Sequence, residues 1–288
     1  MMPAAALWIA FHPTPDLMAG MNRQHLSHLI AAAALLAAQP AFASKSVWHS
    51  VEGGGVRLVT SGVADASGII RGALEIALKP GWKTYWRDPG DAGVPPTIDI
   101  APSTNIASAV LDYPPPSRFD DGYAVWAGYK EPVALPVTFT VAVPGQPSMI
   151  EADVFLGICE TICVPVQARL SVDPAGDPDN ADDRAAVDAA FAALPGPEQP
   201  DFGVTLIAGA ADEVLVEAAF AGDAAAVEFF LAASDGYYFG PPERREQGGK
   251  LMFRVPILER PAEKPQTGGL AYTLVTGAGA VAGQLPFP

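Results

Sequence analysis

IEADVFLGICETICVPVQARLSV, residues 150–172, decides how this chain folds. Ile150, Ala152, Val154, Leu156 and Ile158 occupy the even positions, with Glu151 and Asp153 between them. After Glu160-Thr161-Ile162 the alternation resumes in Val164, Val166, Ala168, Leu170 and Val172. A period of two with one polar face marks strands of antiparallel sheets that press one face onto a core. Working outward, Leu74, Ile76 and Leu78 alternate in the same way, as do Val137, Phe139 and Val141. Val51-Glu52-Gly53-Gly54-Gly55 reads as a turn entering a strand. Residues 44–175 are therefore expected to form a β-sandwich.

Composition shifts at Pro174-Ala175-Gly176-Asp177-Pro178. Asp179 or Asn180 can cap a short helix, and Val187, Phe191 and Leu194 recur at helical spacing before Pro195-Gly196-Pro197 stops it. Residues 176–200 thus read as a linker with a short helix. Alternation returns in Val214/Val216/Ala218/Phe220, Val227/Phe229/Leu231, Leu251/Phe253/Val255 and Leu270/Tyr272/Leu274. The expected architecture is all-β, two sandwiches joined by a short helical linker, the second spanning 201–288. That second sandwich holds no Cys or His and is expected to supply scaffold or docking rather than chemistry of its own.

Composition agrees. The 288 residues include 29 Pro and 28 Gly without a repeat, which argues against a helical bundle. A net charge of −15 disfavours a nucleic-acid surface or an anionic-membrane anchor. No apolar run reaches the roughly 18–20 residues that cross a bilayer.

The amino terminus reads as an address. From Met21, Arg23 supplies a charged start, Leu29 to Ala38 a short apolar run, and Ala41-Phe42-Ala43 an A-x-A cleavage site. Residues 21–43 are expected to be a signal peptide that sends the chain to the periplasm, with Ser44 its first mature residue. Residues 1–20 fit no such pattern and read as an over-called start. Three of the four histidines (His12, His25 and His28) fall in the discarded part, leaving His49. A His-rich metal site is thereby excluded, and a catalytic triad would rest on one residue. There is no G-x-S-x-G, no P-loop and no dinucleotide fingerprint, and no organic cofactor is expected.

The two cysteines, Cys159 and Cys163, lie in phase with the polar faces of their strands, away from the core positions. Three residues between them suit a hairpin connection, which sets them opposite each other within disulfide range. Closing so short a loop removes only about 2 kcal/mol of unfolded-state entropy, modest for a structural staple. Redox exchange, a staple, and capture of Cu(I) by two soft thiolates all stay open on the residues alone. Two aromatic-rich segments, residues 81–91 and 118–129, are placed to surround the pair. Glu151, Asp153 and Glu160 are expected to oppose a thiolate at Cys159, with milder surroundings at Cys163.

In order along the chain, GWKTYWRDPGDAGVPP, YPPPSRFDDGYAVWAGYKEPVALPV and GICETICVPV resemble the amino-terminal periplasmic domain of the DsbD/ScsB thiol:disulfide interchange proteins, ScsB-like branch. The resemblance spans roughly Trp48 to Val172, and residues 201–288 resemble that branch's second immunoglobulin-like module. It implies an immunoglobulin-like fold whose cysteine pair, matched by Cys159 and Cys163, takes electrons from a membrane donor and passes them to thioredoxin-like periplasmic proteins. Asp120, Asp121, Gly122 and Tyr123 match a cap loop over the pair, and Trp82 and Tyr85 match aromatic positions near it. The second cysteine, Cys163, would bond to the partner. The C-x-x-x-C spacing is tighter than in the best-known DsbD proteins. The membrane and thioredoxin-like domains of full-length members do not follow Pro288, so a separate membrane donor is expected. Copper tolerance, associated with this branch, keeps Cu(I) binding at Cys159 and Cys163 as the alternative.

Overall fold

The computed structural model describes residues 44–90, 92–209, 212–233 and 235–288. The expected signal peptide and the segment before it lie outside the described residues. Among the described residues, eleven strands precede the helix: β1 (His49–Val51), β2 (Gly54–Thr60), β3 (Ile69–Leu78), β4 (Thr84–Gly90), β5 (Thr97–Asp99), β6 (Ile106–Leu111), β7 (Ser117–Asp120), β8 (Val125–Tyr129), β9 (Val133–Val141), β10 (Ile150–Cys159) and β11 (Cys163–Val172). Strands β1-β2-β3-β9-β6 make one antiparallel sheet and β11-β10-β5 a second. The positions that alternate in the sequence fill the space between them: Leu58, Leu74, Ile76, Val137, Phe139, Ile150, Leu156, Val166 and Leu170 are all buried in one cluster. A third, small sheet of order β4-β8-β7 carries both aromatic-rich segments.

Helix α1 (Ala181–Ala192) starts at Asn180, whose side-chain oxygen accepts from the backbone N–H groups of Asp182 and Asp183. It packs Val187 and Ala190 onto Val59 and Ala73, the outer face of the first sandwich. Its buried Asp183 accepts from the Ser44 hydroxyl at 2.5 Å and from Lys45 Nζ at 2.7 Å. The helix thereby fastens the start of the described chain to the sandwich.

Nine strands follow: β12 (Gly196–Pro197), β13 (Gly203–Gly209), β14 (Glu213–Ala219), β15 (Glu228–Leu231), β16 (Tyr238–Phe239), β17 (Glu243–Gln247), β18 (Lys250–Glu259), β19 (Leu270–Thr276) and β20 (Gly279–Leu285). They form the sheets β12-β20-β19-β15 and β13-β14-β18-β16, with β17 also on β18. Val216, Phe229, Phe253, Val255, Tyr272 and Leu274 fill this second core. Strand β15 belongs to both cores. Phe229 and Leu231 face the second, whereas Phe230 and the following Ala232 are buried with the first. The all-β, double-sandwich expectation holds, and the two sandwiches meet along β15.

Candidate functional site

Strands β10 and β11 form one antiparallel hairpin from Ile150↔Val172 to Cys159↔Cys163. The last pair stands directly opposite with Cα atoms 4.0 Å apart, and a disulfide joins the two sulfurs. The partners differ in exposure. Cys159 is 2% exposed, whereas Cys163 and the loop before it are open to solvent, Ile162 being 76% exposed.

The hairpin alone would leave Cys159 on a solvated face, as its phase with Glu151 and Asp153 suggests. The small sheet buries it. Lys83, just ahead of β4, exchanges two backbone hydrogen bonds with Cys159, at 2.8 and 2.9 Å, and the Thr84 hydroxyl donates to the Gly157 carbonyl at 2.9 Å. Tyr85 and Trp126 then close over Cys159, with Phe119 packed beside them. Tyr85 meets Trp126 edge-on at 5.7 Å, and Phe119 stacks on Trp126 at 4.4 Å. Burial, with help from the Asp121 charge, pushes the Tyr85 phenol above its ordinary value.

The β7–β8 turn is the segment expected as a cap loop. Asp120 accepts from the Gly122 N–H at 2.8 Å, and Gly122 takes φ 82°, a left-handed conformation that suits glycine. One oxygen of Asp121 accepts from the N–H groups of Tyr123 and Ala124, each at 3.1 Å. Its other oxygen accepts from Lys83 Nζ at 3.0 Å. The Lys83 ammonium, aided by those two N–H groups, holds the Asp121 carboxyl down at about 2. The loop is thus latched to the residue opposite Cys159. The latch leaves Cys163 open, and Tyr123 itself is 99% exposed. Trp82, expected beside the pair, lays its ring over Gly53 of the β1–β2 turn and packs on the main core.

Residues 62–174 match the family model described as thiol:disulfide interchange protein DsbD, N-terminal. Those residues form a DsbD-type amino-terminal domain. The fold of the chain is similar to the crystal structure of the N-terminal periplasmic domain of ScsB from Proteus mirabilis, at 22% identity and a TM-score of 0.67. That match covers 85% of this chain and all of the ScsB domain. No curated protein matches the chain. The DsbD-type domain is a thiol:disulfide interchange domain with its cysteine pair closed.

Several groups at this DsbD-type site escape a reading of the sequence. Lys83 is invisible as a site residue, because only strand pairing shows that it stands opposite Cys159. It also lies over the Trp126 ring at 4.5 Å. Gly157 is a second such residue: a Cβ there would meet Cys163 Sγ at 2.9 Å, Val94 at 3.2 Å and Tyr85 at 3.3 Å. Of the anions expected to act on Cys159, Glu160 is its chain neighbour in the hairpin turn, whereas Asp153 and Glu151 sit farther back along the strand. Asp153 is six residues back along the strand, about 20 Å away and beyond the screening length. It is engaged by Arg169 through two 2.8 Å hydrogen bonds, while Glu151 accepts from the Ser171 hydroxyl. The nearest charged cross-strand neighbour of Cys159 is the cation Lys83. Exposure sets the same order as the expected electrostatics, with Cys163 the open sulfur and Cys159 the covered one.

Proposed function

We propose that the chain is an exported periplasmic protein that exchanges its Cys159–Cys163 disulfide with thioredoxin-like partners, its electrons coming from a separate membrane donor. The observation that carries this reading is the one-sided exposure of the disulfide, with Cys163 open and Cys159 buried beneath Tyr85 and Trp126. A partner thiolate needs a line of approach to one sulfur and a leaving group that the site can accommodate.

The step balances as follows. The partner thiolate attacks Cys163 Sγ, the Cys163–Cys159 bond breaks, and Cys159 leaves as a thiolate opposite the Lys83 cation. The partner's second thiolate then attacks its own sulfur in the mixed disulfide, which frees Cys163. Two electrons enter the pair, two protons follow from solvent, and the partner is left oxidised. The reverse sequence passes the electrons on to an oxidised protein. Among the described residues no helix is long and apolar enough to cross a membrane.

Trapping tests the order of attack. Cys159→Ser should form a stable mixed disulfide through Cys163 with a thioredoxin-like protein, and Cys163→Ser should trap little. Trapping only through Cys159 would overturn the assignment, and no trapping by either variant would overturn exchange itself. The proposed export requires that protein recovered from the periplasm begin at Ser44.

A further inference from the structure

The small sheet over the disulfide has two working faces, because successive strand residues point to opposite sides. Tyr85, Phe119 and Trp126 turn toward Cys159. Their neighbours Trp86 and Ala127 are buried in the first core together with Phe230 and Ala232 of the second sandwich. Arg118 lies next to Phe119. Its guanidinium donates to the Phe229 carbonyl at 2.8 Å and covers the Phe230 ring at 4.6 Å. Trp86 meets the Phe230 ring edge-on at 5.7 Å. In β4, the Asp88 carboxylate accepts from the Ala233 N–H at 2.7 Å.

We propose that the second sandwich holds the aromatic cover over Cys159 in place, and that Arg118 is the positioning residue that ties β7 to β15. Among the described residues strand β7 is the outer strand of its sheet and pairs with β8 alone, so no described ladder fixes its other edge. It is also the strand that places Phe119 on Trp126 and leads directly into the Asp121 latch. Arg118 supplies the missing support from the other side. The Glu228 and Asp88 carboxylates keep its charge balanced in a partly desolvated place. The second sandwich, which lacks cysteine, thereby acts on the disulfide through the cover and not through chemistry of its own.

This deepens the exchange reading, since it concerns the same disulfide, and its test is separable. In full-length Cys163→Ser protein, Cys159 is a single thiol beneath the cover, and its alkylation by iodoacetamide reports how often the cover opens. Adding Arg118→Met keeps the apolar stem over Phe230 and removes the hydrogen bond and the charge. Alkylation should accelerate about fivefold, with little dependence on low urea, the signature of local opening. Arg118→Lys, which restores a cationic donor, should recover much of the slow rate. An unchanged rate in Arg118→Met, or an increase no larger than its loss of global stability requires, would overturn the proposal. The exchange reading is judged by trapping with Arg118 intact and can fail or stand independently.

Discussion

Gly157→Ala is the sharpest test of how the disulfide is seated. Gly157 is buried in β10, on the face of Cys159 and opposite Pro165. The added methyl would lie 2.9 Å from Cys163 Sγ, 3.2 Å from Val94 Cβ and 3.3 Å from Tyr85 Cε2. Tyr85 has little room to retreat, because its ring already fills the space at Gly93, where a Cβ would lie 2.5 Å from it. Overpacking of this kind costs about 1–3 kcal/mol, and the gain from a stiffer unfolded chain returns only about 0.4–1 kcal/mol. The oxidised protein should therefore lose roughly 1–2 kcal/mol. Reduction frees Cys163 to turn its sulfur away from the methyl, so the reduced form should lose less. A difference of about 1 kcal/mol between the two forms raises the reduction potential by roughly 20 mV. Urea unfolding of oxidised and reduced protein, with a redox titration, measures all three quantities. An oxidised variant as stable as its parent, or equal losses in both forms, would refute the reasoning.

Lys83→Met removes the cation opposite the leaving Cys159 thiolate and should slow reduction by dithiothreitol roughly three- to tenfold; Asp121→Asn, which loosens the latch but keeps the ammonium, should not slow it. Because the Asp121 carboxyl is held at about 2, below its ordinary 3.8, the latch contributes stability that is fully present above that ordinary value. It is lost as pH falls through about 2, so amide exchange at residues 121–124, corrected for intrinsic rates, should stay slow from pH 7 to about 4 and speed up toward pH 2. Asp183→Ala leaves the Ser44 hydroxyl and Lys45 ammonium without their carboxylate and should cost about 1–3 kcal/mol in urea unfolding.

Much of the fold was legible in the sequence because burial here follows period two. Leu74, Ile76, Val137, Phe139 and the even positions of 150–158 are all buried as their alternation requires. The helix cap at Asn180 and the hairpin turn at Glu160-Thr161-Ile162 were also legible, since both are local. What the sequence hid is what distant segments do to a face. The phase of Cys159 put it with polar residues, and it does share that face, but residues 83–85 and 119–126 fold across the end of the strand and bury it. The Val227/Phe229/Leu231 alternation marks the second core, but that Phe230 is buried in the first depends on where the two sandwiches meet. Nothing in the sequence points to a partner for Arg118, and only the position of β15 shows what it holds. The charges around Cys159 were only partly legible from its own strand. Strand residues separate by about 3.3 Å per position, so Asp153 lies far from Cys159, whereas Lys83 is brought opposite it from another strand.

The reduction potential of the Cys159–Cys163 pair in the full-length wild-type protein tests the central claim most directly. An exchange-active pair with one open sulfur should equilibrate with dithiothreitol or thioredoxin redox buffers at a potential above about −300 mV. A value below that, with no exchange with a thioredoxin-like protein, would make the disulfide an inert staple and contradict the account.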